Sequence, residues 1–347
     1  MSRHSLRTTT LFTLLTVGLI AAVLISAGTG QLAIPPSEVL GSLLHKIGID
    51  ILPMPTHPAG DATLWGIRFP RIAMAMLVGI GLSVSGLIMQ AIFGNPLAEP
   101  GVIGISSGAA VGAGLSIVFG LTIFGEWTTA ILAFLAGLAA TFTVYAMSRA
   151  DGRTEVVTLV LTGIAVNAIG GAGIALLTFL GDTQSREQIV FWQLGSFQGS
   201  RWSQVLVITP IILVGMLAAY FSARKLDLLA LGERNARHLG VNVELLRILM
   251  IFVVSLLVGA SVAFAGIISF VGLVVPHFMR GLIGPAHLPL VTASALGGAL
   301  LMTVADLAAR TIVPMAELPI GLLTAIVGGP FFFWLLRRTR KRNGGWG

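Results

Sequence analysis

Apolar runs of about twenty residues recur along this chain, and no other feature limits its fold as much. A helix needs about 20 such residues to cross the ~30 Å hydrocarbon layer, where no water satisfies backbone N–H and C=O groups. Strand-like alternation is missing, so the runs read as membrane-crossing helices. They fall at about 11–29, 71–93, 101–121, 127–148, 155–178, 204–222, 246–265, 267–283, 286–309 and 318–336, which predicts ten spans. The eighth carries Pro276, His277 and Arg280, which leaves a broken or re-entrant helix open there.

Composition agrees. Apolar residues make up 55% of the chain, charged ones 10%, and mean hydropathy is +0.94, which excludes a water-solvated surface. Residues 1–347 therefore read as one all-α integral membrane domain. A net charge of +7 would suit nucleic acid if the basic residues formed a stripe, but they flank the apolar runs, where lipid headgroups lie. Membrane lipid is thus an expected partner and nucleic acid is not. The absence of cysteine excludes disulfides, thiolate chemistry and Cys-ligated metal sites. The start, "MSRHSLR" and an apolar run, has the outline of a secretory signal, but no small-x-small cleavage site follows and it reads as a first span.

An even number of spans puts both termini on one side, and both are basic. Arg3 and Arg7 stand at the start; Arg337, Arg338, Arg340, Lys341 and Arg342 stand at the end. The positive-inside rule makes that side cytoplasmic and also places "SRADGRTE" and the loop 223–247 inside. Gly104, Gly108 and Gly112 leave one face of the third span bare for a neighbouring helix. The same stretch spells Gly-x-Ser-x-Gly around Ser106, which in a hydrolase needs a strand-to-helix turn with a positioned His and acid, a context absent from an all-helical chain.

Three places interrupt the apolar pattern. Asn95, Pro96, Glu99 and Pro100 make a turn between the second and third spans, which reads either as a tight turn or as a gate. The loop 222–247 reads as two short helices closed by Gly232 and Gly240, with leucines that invite a partner protein or lie on anionic lipid. Arg68 and Arg71 share a face at the outer end of the second span, and Arg310 follows Asp306 by four residues. Cations there are disfavoured by the helix dipole, so they serve either an acidic outer partner or lipid phosphate. Arg186, also outside, can meet an anionic cargo or solvent.

No lysine follows a glycine, so the P-loop for ATP is missing, and Asp306 is the single convincing acid within a span. Energy is therefore expected through the cytoplasmic loop from a separate ATPase. An ion-coupled carrier and an intramembrane hydrolase built on Ser106 are the rival readings.

The motifs "RFPR", "GLIMQAIFGNPLAEPGVIGISSGAAVGA", "FWQLGSF", "LGERNARHLGV", "FVGLVVPHFMR", "ADLAAR" and "ELPIG" occur in the order of one family. From Arg68 to Leu336 the chain resembles FecCD-family permease subunits of type II ABC importers for haem, iron-siderophore complexes and cobalamin, with wording nearest the haem permeases. The resemblance implies a bacterial cytoplasmic-membrane subunit that pairs with a copy of itself or a sibling permease. It further implies two ATPase subunits carrying ATP and Mg, an extracytoplasmic binding protein, and no cofactor or metal on this chain. Arg68, Arg71 and Arg310 then match residues that grip the binding protein. Asn95 and Leu97 match the cytoplasmic gate. Gly232, Glu233, Ala236, Leu239 and Gly240 match the helices that meet the ATPase. His277 belongs to the shared Pro-His-x-x-Arg motif and so does not single out haem.

Overall fold

A computed structural model describes residues 3–150, 153–313 and 316–342. The helices are α1 (Arg3–Gly28), α2 (Pro36–Lys46), α3 (Gly60–Thr63), α4 (Phe69–Ile92), α5 (Ile105–Val118), α6 (Thr128–Met147), α7 (Val156–Leu180), α8 (Thr183–Leu194), α9 (Trp202–Leu229), α10 (Glu233–His238), α11 (Val243–Ala265), α12 (Val271–Ile283), α13 (His287–Thr311) and α14 (Ile320–Arg342). A turn of π-helix, Leu64–Arg68, leads from α3 into α4, and residues 149–150 pair with 153–154 as a minimal hairpin.

Each expected span has a helix, but they are not ten equal crossings. Among the described residues, seven helices are long and apolar enough to span a bilayer. The other three are shorter: α5 has 14 residues and α12 has 13, so each reaches only about 20 Å of a ~30 Å layer, and the apolar part of α14 is confined to Ile320–Trp334. Gly104 therefore lies outside the helix it was expected to line, in a left-handed conformation (φ +80°) just before α5. Gly108 and Gly112 do serve as expected. A Cβ on Gly112 would stand 2.2 Å from the Leu132 carbonyl oxygen, so α5 and α6 touch backbone to backbone.

The bundle is built around α4, whose apolar residues are buried nearly all round and pack on α13, α11, α12 and α9. By contrast α6 and α7 bury only a narrow stripe and leave Phe142, Val157, Ile169 and Phe179 exposed, as a lipid-facing helix does. Contacts define two ends. At the upper end Arg201 pairs with Glu126 at 2.5 Å, and the Trp202 indole donates to the Trp65 carbonyl at 2.7 Å. The lower end gathers the 93–99 turn, the paired residues 149–150 and 153–154, α10 and the start of α13.

The eighth span is not broken at Pro276: α12 runs through Pro276, His277 and Arg280, and the non-helical backbone lies ahead of them, where α11 gives way to α12. Residues 266–270 are not helical. The two ends of this stretch are held by other broken elements: Ser196 N donates to the carbonyl of Ala265, the last residue of α11, at 2.9 Å, and Phe270 N donates to the Glu99 carboxylate at 3.0 Å. Ile320 N donates to Gly195 O at 3.0 Å, which joins the start of α14 to the end of α8 at the same junction. Irregular backbone at membrane depth is tolerated where it is buried in protein in this way.

Candidate functional site

At the upper end, Asp306 in α13 and the arginines of α4 and α13 form one buried ionic cluster. Arg71 Nη2 lies 2.9 Å from Asp306 Oδ1, and its Nη1 lies 3.0 Å from Glu317 Oε1. Arg310 Nε lies 3.3 Å from Asp306 Oδ2, the four-residue pairing expected from the sequence. Arg310 also donates to Ser26 Oγ at 2.6 Å, and Arg68 donates to the Ala27 and Leu32 carbonyls. Arg68 is 6% exposed and Arg71 7%. The three guanidiniums are thus turned inward and staple α1, α4, α13 and the segment before α14. An acidic partner reaching them has to open these pairs, and Glu317 is the half-exposed member it meets first.

Arg186 is likewise engaged. Its guanidinium donates to the Thr178 and Phe179 carbonyls at 3.0 and 3.2 Å, where a cation caps the end of α7.

Near the lower end, the turn after α4 is ordered by its own side chains. Asn95 Oδ1 accepts from Leu97 N at 2.9 Å, a closed Asx-turn, with Asn95 exposed and Leu97 half-buried. Glu99 reaches away from the turn to hold Phe270, which precedes α12 with φ +69°, a strained value for a residue with a side chain. A cavity of about 140 Å³ lies beside this junction, lined by Glu99, Ser106, Ser269 and apolar residues of α4 and α11. No histidine lines it, so Ser106 lacks the histidine base of the hydrolase motif there, and Oε1 of the Glu99 carboxylate is taken by Phe270 N.

The segment 222–247 departs from the expected two helices in a loop. The first is the continuation of α9 to Leu229, because Ser222, Ala223, Leu226 and Leu229 recur at helical spacing and are all buried. Gly232 (φ +100°) ends it, α10 follows, and Gly240 (φ +83°) turns the chain into α11. Of the residues expected to face a partner, Leu239 is 58% exposed and Glu233 is half-exposed, but Ala236 is fully buried. Leu231 and Leu245, on the same segment, are exposed like Leu239. Beneath it Arg247 Nη2 lies 2.5 Å from Glu233 Oε1.

Several polar contacts between these helices were not expected from the sequence, although Arg280 itself draws attention there. Asp227 Oδ1 accepts from His287 N at 2.9 Å and lies 2.7 Å from His287 Nδ1, tying α9 to α13. Arg280 donates to Gln90 Oε1 at 2.8 Å, tying α12 to α4. Asn167 bridges the turn before α5 and α5 itself. The signal that could have found Asn167 is that it is the single amide side chain in the apolar helix α7.

A polytopic helical bundle with buried helix breaks, an internal ionic staple at one end and an exposed apolar knuckle at the other is a transport protein of the membrane-permease class. Residues 18–338 match the FecCD transport family, and the chain belongs to it. It is an ABC importer permease, a transport component. The chain is 43% identical over 286 residues to the hemin transport system permease HmuU of Yersinia pestis, covering 81% of this chain and 85% of that protein. It is 40% identical to the cobalamin import permease BtuC of Halobacterium salinarum, over 80% and 73% of the two chains. An inward-facing metal-chelate type ABC transporter superposes with a TM-score of 0.82 at 34% identity, covering 95% of this chain and 99% of that one.

Proposed function

We propose that this permease moves haem or another iron complex across a bacterial cytoplasmic membrane, as half of a pore completed by a second copy. Cargo arrives from an extracytoplasmic binding protein at the upper end, and energy comes from two ATPase subunits that bind ATP and Mg at the lower end. Both termini then lie in the cytoplasm. The observation that carries the reading is the segment around α10: Ala236 is buried and Arg247 of α11 holds Glu233, while Leu231 and Leu239 on either side of α10 and Leu245 at the start of α11 are exposed. Leucines this exposed at a water boundary fit a groove on a partner protein. Asn95 and Leu97 serve as the cytoplasmic gate, and Gly232 and Gly240 are the hinges that aim α10. Docking of the binding protein uses the rim shaped by Arg68, Arg71 and Arg310.

Leu239→Asp is the direct test, since Leu239 is exposed and its loss leaves the fold intact. Affinity for the ATPase is expected to fall by roughly thirtyfold, as for an interface anchor worth about 2 kcal/mol. ATP-driven uptake into proteoliposomes falls with it. Unchanged ATPase binding sinks the assignment. Ala236→Asp is the poorer test, because a carboxylate at a fully buried position disrupts the knuckle itself.

The hemin permease relative supports haem as cargo, and the cobalamin relative, nearly as similar, supports cobalamin as the second reading. Uptake of haem, ferric siderophore and cobalamin by the reconstituted complex separates them. Uptake that persists without ATP and collapses with the ion gradient points instead to a secondary transporter.

A further inference from the structure

The junction beside Glu99 lies at membrane depth. A Cβ on Gly86 would overlap Gly272 O, so the first turn of α12 rests on α4 six residues, or about 9 Å, above the lower end of that helix. Leu82, one turn higher, lines the cavity of about 140 Å³ together with Val258 and Val262 of α11. A carboxylate held within a ~30 Å hydrocarbon layer calls for a partner that meets its charge.

Among the described residues Glu99 takes part in no ion pair, and Arg280, the cation of α12, is turned to Gln90. The hydrogen bond from Phe270 N occupies Oε1 of Glu99 and leaves Oε2. Two hydroxyls line the same cavity, Ser106 in the first turn of α5 and Ser269 in the break, and neither is hydrogen-bonded among the described residues. The carbonyls of Gly266, Ile267, Ile268 and Ser269 accept no hydrogen bond among the described residues either, although Gly266 and Ile268 are buried. A buried oxygen without a donor is costly, and more so in lipid.

Helix ends do not complete the balance. The N-termini of α5 and α12 and the C-terminus of α11 meet here, and at about half a charge each they offset only about half of the carboxylate. The set that remains is one carboxylate with hydroxyl and carbonyl oxygens, hard ligands of single negative charge. Calcium sites gather several carboxylates, so this set suits a monovalent ion. Unwound backbone beside a discontinuous helix is also where transporters hold sodium.

We propose that Glu99, Ser106 and Ser269, with carbonyls of the 266–269 break, form a buried site for one monovalent cation of sodium's size. The ion fastens the start of α5 to the start of α12. The site is a property of this chain alone and stands whichever cargo and partners the permease has.

The test uses the purified full chain, with N-methylglucamine chloride exchanged for sodium chloride at constant ionic strength. Tm is expected to rise by about 5 °C once sodium exceeds its Kd about a hundredfold. Radioactive sodium binds one to one, and sodium slows hydrogen exchange at residues 99–106 and 266–270. Glu99→Gln keeps an oxygen for Phe270 N, so the sodium-free variant is expected to unfold near the parent while its response to sodium disappears. Ser106→Ala and Ser269→Ala are each expected to weaken sodium binding about tenfold with the fold intact. Three results overturn the site: an equal rise in Tm with potassium, which is ionic strength or a nonselective effect; undiminished sodium binding by Glu99→Gln, which places the ion elsewhere; or no bound sodium, which leaves the cavity to water.

Discussion

Asp306→Ala is expected to cost about 3–5 kcal/mol of stability, the range for breaking a buried ion pair from one side. Asp306 is 1% exposed and is the carboxylate shared by Arg71 and Arg310, both of which stay buried after its removal. Glu317 remains for Arg71 alone, and Arg310 keeps only Ser26 and the Thr29 carbonyl. Against a total stability of about 5–15 kcal/mol, that loss removes much of the margin. Thermal unfolding of purified protein in one detergent, followed by tryptophan fluorescence, reads it directly. Asp306→Asn is expected to lose less, because an amide oxygen still accepts from Arg71. A variant within about 1 kcal/mol of the parent would mean that the cluster is as weak as a surface pair.

Gly266→Val is the second large effect. The residue sits at φ +71°, where a side chain is strained, and a Cβ there would stand 2.2 Å from the Trp192 carbonyl oxygen. That oxygen belongs to backbone near the end of α8 and cannot rotate away. Overpacking costs about 1–3 kcal/mol, and the positive-φ, extended-ψ conformation, which is essentially confined to glycine, about 1–3 kcal/mol more. The junction of α8, α11, α12 and α14 is expected to open, with loss of folded protein on size-exclusion chromatography. Gly171→Ala, on the uncovered face of α7 with nothing within 4 Å, is the control and is expected to fold normally.

The Gly266 junction shows where sequence reading stops. Pro276 and Arg280 drew attention to the eighth span, yet the chain breaks earlier, where Gly266 admits the carbonyl of Trp192 from 74 residues away in the sequence. The upper arginines make the same point. Spacing revealed Asp306 with Arg310, because i and i+4 share a helical face, but Arg71 meets Asp306 across 235 residues. Spacing also cannot say whether a leucine-rich segment is loop or helix extension. Residues 222–229 continue α9 because α9 has a buried stripe to continue. The motif assigned Ala236 to the helix that meets the ATPase, and the structure adds that its side chain is buried.

The position and helical type of the apolar segments were legible because a bilayer offers the backbone no hydrogen-bonding partner, and each apolar run must meet its own needs locally, as a helix. The motifs that place the chain in the FecCD family are likewise contiguous strings, readable without coordinates. What only the tertiary structure decided is direction and partnership: which guanidiniums turn inward, which helices fall short of a crossing, and which turn the amide of Asn167 holds. Those outcomes depend on contacts between residues far apart in the chain, and helical periodicity carries no information about them.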